Sequence, residues 1–260
     1  DGKADLYVTG ENMKITRVKN KKGKFVATGV PNNIPGWWNT VKTADIDNDG
    51  DQDLILGNHG LNSRFKADEK HPIALYFKDF DDNGSPEGIL ANVHDDGKAY
   101  PYALRHNLTM RLPALKKKYP DFKSFKDQSI NDIFTPEQLK SSHVLHATEM
   151  RSLILVNEGN MKFSVRLLPY TVQMSPVYAI AAGDLNGDGF SDLVMGGNLN
   201  GVQPEMGRYD ASYGNVLIND GKGNFNDESQ RYGFSVTGEI RDIIIHGGGV
   251  TVFRNNNSAV

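Results

Sequence analysis

Short apolar runs framed by turn residues recur along this chain. Leu54-Ile55-Leu56-Gly57, Ile89-Leu90-Ala91 and Leu193-Val194-Met195-Gly196 each follow a polar, acidic stretch, and such bounded runs predict buried strands. Two further runs, Leu153 to Val156 and Val216 to Ile218, lead into segments that place Asn and Gly a few residues before a Phe. Those segments, at 157–163 and 219–225, read as hairpin turns, and 19–25 has the same composition. The order hairpin, apolar strand, acidic loop, apolar strand recurs. One stretch departs from it: Leu104, Leu108, Leu112 and Leu115 fall at helical spacing, interrupted by Pro113, and Thr135-Pro136-Glu137-Gln138 has the form of a capping box with Pro at the first helical position. A mainly helical insertion is therefore expected over 101–147 within one domain spanning 1–260.

The acidic stretches carry the chemistry. Asp45 to Asp53, Asp79 to Glu87 and Asp184 to Asp192 are nine-residue loops with oxygen side chains at positions 1, 3, 5 and 9 and glycine at position 6. Alternate residues of a tight loop can aim their oxygens at one centre, position 7 can add its carbonyl, and glycine permits the turn. The expected Ca²⁺ ligands are Asp45, Asp47, Asp49, Asp51 and Asp53; then Asp79, Asp81, Asn83, Ser85 and Glu87; then Asp184, Asn186, Asp188, Phe190 and Asp192. Asp51 and Phe190 would serve through their backbone. Five carboxylates in nine residues repel one another without a cation. These are not EF-hands, because position 12 is Leu56, Leu90 or Met195 where that motif needs Glu. Asp1 to Val8 aligns with Asp49 to Leu56, so the chain opens in mid-motif and is expected to be a fragment of a longer protein.

Loops and hairpins together resemble the FG-GAP or VCBS repeat, the blade unit of the calcium-bearing β-propeller in integrin α subunits. Gly36-Trp37-Trp38, Gly57 to Ser63 and Gly207 to Gly214 are similar more narrowly to the cartilage acidic protein and UnbV relatives, found among secreted and outer-membrane proteins. The resemblance implies a mainly β fold of propeller blades; at about 40 to 50 residues per blade the chain holds about four to five, partial ones included, so an incomplete ring whose other blades are missing from this chain is expected. It implies a location outside the cell, in the periplasm or at the outer-membrane surface.

Composition is consistent with that class. The 260 residues are 38% hydrophobic and 9% aromatic, enough for a sizeable core, and no apolar run is long enough to span a membrane. Without Cys there are no disulfides or thiol nucleophiles, and a formal charge of −3 provides no basic field for nucleic acid. The Lys19 to Lys24 and Lys116 to Lys118 runs read as solvated surface.

The leading functional expectation is a non-catalytic scaffold that binds a glycan or protein ligand. The alternative is a carbohydrate-active enzyme with a site near Glu205 to Tyr213: Glu205 and Asp210 as a carboxylate pair, Arg208 as an anion clamp, Tyr209 and Tyr213 as sugar platforms. A structured inter-strand loop explains the same residues without chemistry and is preferred. Trp37 and Trp38 could form a carbohydrate platform, although neighbours on a strand point to opposite faces, so one core Trp and one edge Trp are expected. His143, His146 and Glu149 would present three zinc ligands only on a helix; lone surface histidines are the plainer reading. No nucleophile elbow, P-loop or His-Glu-x-x-His motif occurs.

Overall fold

A computed structural model describes residues 4–30, 34–203, 206–247, 249–255 and 258–260. Contacts gather these residues into two compact units, unit 1 comprising Asp1–Phe65 with Met150–Val260 and unit 2 Lys66–Glu149. In chain order unit 1 supplies β1 (Leu6–Val8), β2 (Thr16–Lys21), β3 (Lys24–Gly29), β4 (Trp38–Ala44) and β5 (Asp53–Asn58). Unit 2 supplies β6 (Ile73–Lys78), β7 (Glu87–Val93) and β8 (Ala99–Pro101). It continues with α1 (Arg105–Arg111), α2 (Leu115–Lys118), α3 (Phe122–Phe125), α4 (Ile130–Ile133), α5 (Pro136–Lys140) and β9 (His143–Ala147). Unit 1 resumes with β10 (Leu153–Asn157), β11 (Phe163–Leu167), β12 (Val177–Gly183), β13 (Asp192–Gly197), β14 (Asn215–Asn219), β15 (Phe225–Asp227), β16 (Ile240–His246) and β17 (Gly249–Arg254).

The sheets of unit 1 are antiparallel and ordered β1-β2-β3, β4-β5-β10-β11, β12-β13-β14-β15 and β16-β17. All three hairpins expected from Asn, Gly and Phe form, as β2–β3, β10–β11 and β14–β15. The second sheet explains the broken rhythm of the sequence. Its strands β5 and β10 pair directly, Ile55 against Ile154, although the whole of unit 2 lies between them in the chain.

The apolar runs of β5 and β13 are continuous because their sheets are covered on both faces. In β5, Leu54 and Leu56 pack with Ile15, Trp38 and Phe163 on one side. Ile55 points the other way, toward Val177, Leu193 and Met195. In the next sheet Val194 and Val216 turn to Ile240 and Val252. Period-two alternation thus sends neighbouring residues of one strand into two different cores. Each fully buried Leu or Ile contributes roughly 1.5–3 kcal/mol of transfer free energy. The close approach of sheets also fixes a glycine: a Cβ on Gly57 would lie 2.6 Å from Thr40 Cγ2 and 2.7 Å from the Val177 carbonyl oxygen.

Unit 2 is a four-stranded antiparallel sheet ordered β8-β7-β6-β9 with short helices packed on one face. Ile89 and Ala91 of that face meet Leu108, Leu112, Ile130 and Ile133. The helical segment is shorter than the expected 101–147: helices run from Arg105 to Lys140, whereas 99–101 and 143–147 are strands paired to β7 and β6. The Thr135 capping box forms as read, its hydroxyl accepting from the Gln138 amide.

Candidate functional site

The three acidic loops join adjacent strands, β4 to β5, β6 to β7 and β12 to β13, and share one hydrogen-bond pattern. Position 1 reaches across to the glycine amide at position 6: Gly50 N to Asp45 at 3.0 Å, Gly84 N to Asp79 at 2.7 Å and Gly189 N to Asp184 at 2.9 Å. Position 5 accepts from the amide at position 7, at 2.8 Å for Asp49, 2.8 Å for Asn83 and 2.9 Å for Asp188. Position 9 accepts from the amide at position 2, at 2.9 Å in every copy, Glu87 included. Position 6 is left-handed, as its glycine implied, with φ of 92°, 88° and 88°. So is position 4, filled by Asn48, Asp82 and Gly187 at φ 58°, 56° and 83°. Asn, Asp and Gly are the residues that tolerate this region, and their recurrence at position 4 was the overlooked signal.

These bonds turn the remaining carboxylate oxygens toward one another. Asp45, Asp47 and Asp49 each bring an oxygen within 4.8 Å of the others, as do Asp79, Asp81 and Glu87. In the third loop Asn186 replaces one carboxylate, and its amide nitrogen donates to Asp188 at 2.8 Å. Asp45 Oδ1 and Asp47 Oδ1 are buried without a hydrogen-bond partner among the described residues. Burial, aided by neighbouring Asp49, pushes the Asp47 carboxyl above the usual range. Burial likewise raises Asp53 to about 6, despite the two amides that favour its ionised form. Asp184 is the exception, held low by the backbone amides of Gly189 and Gly187. Unpaired, buried oxygens on two of three converging acids suit a hard divalent cation, and Ca²⁺ takes such a shell of oxygens. Asp45, Asp47 and Asp49 in the first loop, and Asp79, Asp81 and Glu87 in the second, are the residues that would hold it.

Position 9 does more than close a shell. Asp53 is fully buried, and its second oxygen accepts from Asn157 N at 2.7 Å. Asp192 accepts from Asn219 N at 2.9 Å, and Asp5, position 9 of the partial first copy, from Asn20 N at 2.8 Å. Each Asn is the one that opens the hairpin turn of the same sheet. Acidic loop and hairpin are therefore stitched together by one carboxylate, three times over. Asn219 goes further, donating its side-chain amide to Ile46 O at 2.7 Å and so tying the third sheet to the first acidic loop. Asp1 lies outside the described residues.

The second group of expected site residues lies at the other end of the strands. Trp38 pairs with Asn58 at one end of the β4–β5 ladder and Ala44 with Asp53 at the other, about 20 Å away at ~3.3 Å per residue. Trp38, the first residue of β4, is core, and Trp37, just before the strand, is half-buried. Trp37 meets His59 at 4.9 Å and Phe65 at 5.1 Å between ring centroids, and His59 meets Tyr209 edge-on at 4.7 Å. His59, a residue without a role in the sequence reading, is the hub. It is 3% exposed, and burial lowers its pKa to about 4, so the ring is neutral at physiological pH. Its Nε2 and the Tyr209 hydroxyl have no hydrogen-bond partner among the described residues.

Tyr209 is buried, whereas Arg208, Asp210 and Tyr213 are exposed beside it. The Leu199–Tyr209 bridge causes this split, pinning Tyr209 inward while its neighbours face solvent. Glu205 lies outside the described residues. His143 and His146 sit in β9, not on a helix, and three residues apart on a strand they point to opposite faces. The one-face zinc arrangement with Glu149 therefore does not form.

Comparison with known families matches residues 1–56 to the FG-GAP-like repeat and residues 176–214 to the FG-GAP repeat. The first match takes in the partial copy and the first acidic loop, the second takes in the third loop. No curated protein matches the chain. The chain is mainly β, its acidic loops join adjacent strands within antiparallel sheets, and its segments 1–56 and 176–214 match FG-GAP repeats.

Proposed function

We propose that this chain is a calcium-stabilised, non-catalytic binding scaffold of the integrin-α-like propeller type, working outside the cell, in the periplasm or at the cell surface. Its acidic loops hold Ca²⁺ at one end of the strands. The opposite end of unit 1, around Trp37, Arg208, Asp210 and Tyr213, receives a glycan or protein ligand. The observation that carries the calcium reading is the pair of unpartnered buried oxygens on Asp45 and Asp47 inside a three-carboxylate cluster. A loop built only for turning would satisfy its oxygens internally. The separation of the two ends supports the division of labour, because a cation that rigidifies connections need not touch the ligand. Among the described residues no helix is long and apolar enough to cross a membrane.

Calorimetric titration of metal-stripped protein with calcium chloride tests the first half: heat saturating at or below millimolar calcium is expected, with the share of the first loop lost on Asp47→Asn. Absence of heat refutes it. Ligand capture from glycan and protein panels, weakened by Arg208→Ala or Tyr213→Ala with the melting curve unchanged, tests the second half. Polysaccharide cleavage that depends on Asp210 would overturn the non-catalytic reading.

A further inference from the structure

We infer that unit 2 carries a binding cleft of its own, shaped for a neutral oligosaccharide. Two hollows of about 550 Å³ and 880 Å³ adjoin along a common wall of His94 and Asp96. Each is within the ~300–1,000 Å³ of small-molecule sites. The smaller opens between the segment leading into β6 and the β7–β8 turn, the larger between β8 and helices α1 and α3.

The lining selects the ligand class. Aromatic surface comes from Tyr100, with the His94 ring 4.7 Å from it, and from Phe122, which is 60% exposed where it borders the larger hollow. Part of the lining charge is engaged within the protein, although Lys123 also borders the larger hollow. Arg105 donates to the carbonyls of Tyr119 and Pro120 at 2.7 and 2.8 Å, and Lys126 lies 3.7 Å from Asp127. In the smaller hollow Asp68 and Asp95 grip the two ring nitrogens of His71 at 3.2 and 3.0 Å, and Lys70 takes Asp95 at 2.8 Å. An ionic ligand would compete with these contacts. A ligand that pairs apolar C–H faces with hydroxyl groups does not. It can stack on Tyr100 and Phe122 and donate to Asp96, which is already positioned by the Tyr100 hydroxyl at 2.8 Å. Asn92 Oδ1, in the wall of the smaller hollow, is a buried acceptor with no partner among the described residues. Sugar rings have these two kinds of surface, and two adjoining hollows suit more than one ring.

The inference is independent of the ligand end of unit 1, and the variants keep the two apart. The intact protein is titrated by calorimetry with six-unit cello-, xylo-, manno- and malto-oligosaccharides, with a heparin hexasaccharide and a proline-rich peptide as comparators. Binding of at least one neutral oligosaccharide is expected, little changed by added sodium chloride. Phe122→Ala, at an exposed position where folding tolerates the change, weakens it about tenfold, and Asp96→Asn weakens it severalfold. Tyr213→Ala leaves it unchanged. No binding of any neutral oligosaccharide at millimolar concentration overturns the inference. So does salt-sensitive binding of heparin alone, binding of the peptide alone, or saccharide binding indifferent to both Phe122→Ala and Asp96→Asn.

Discussion

Replacing Asp53 separates its role as a staple from any role as a calcium ligand. Its carboxylate is fully buried and accepts the amides of Ile46 at 2.9 Å and Asn157 at 2.7 Å. Asp53→Ala leaves both amides without an acceptor, at about 1–3 kcal/mol for each buried group, so a loss of about 2–6 kcal/mol is expected. Asp53→Asn keeps one acceptor but turns an NH₂ toward the other amide, and about 2–3 kcal/mol is expected. Against a typical total of ~5–15 kcal/mol for a domain, either is severe. The loss is present in chelator, because the two amide bonds do not involve the ion. Asp47→Asn is the contrasting variant: its Oδ1 has no protein partner, so in chelator it costs under about 0.5 kcal/mol and matters only when calcium is added. Denaturant unfolding followed by tryptophan fluorescence reports unit 1 specifically, since Trp37 and Trp38 are the two tryptophans of the chain. If Asp53→Asn in chelator stays within about 0.5 kcal/mol of the parent, the staple argument is wrong.

Calcium at a hundred times its dissociation constant should add about 2.7 kcal/mol per occupied site, so an unchanged melting curve on chelation would count against occupancy. Asn48→Val, forced into φ of 58°, should cost about 1–3 kcal/mol while Asn48→Gly is tolerated; equal melting temperatures for the two would contradict the left-handed assignment. His71, hydrogen-bonded to Asp68 and Asp95, has its pKa raised above the ordinary 6.5, so its pairing helps unit 2 fully below that value and is lost as pH rises through the folded pKa. An NMR titration that leaves the His71 midpoint unmoved by Asp95→Asn would refute the pairing.

The loops were legible in the sequence because their requirements are local. Oxygen side chains at fixed spacing, a glycine at position 6 and an apolar run immediately after are all written within a dozen residues, and so are the Asn/Gly/Phe hairpins and the Thr135 cap. What the sequence overstated was the helical insertion, because a helix-period leucine pattern says nothing of the strand that pairs after it: His143 to Ala147 is held extended by β6, a partner some seventy residues earlier in the chain.

Other features exist only once the chain has folded. Nothing near Asp53 names Asn157 as its partner, for the two meet only because β10 pairs with β5 across the whole of unit 2. His59 gains its role the same way: Trp37, Phe65 and Tyr209 come from separate segments, and their packing around one ring is what buries it and keeps it neutral. The sequence by itself determined the loops, the turns and the alternating faces, since those depend on bonded neighbours and backbone preference. Tertiary structure decided which loop is tied to which hairpin and which polar atoms are left without partners, because burial and pairing across distant strands are properties of the packed chain.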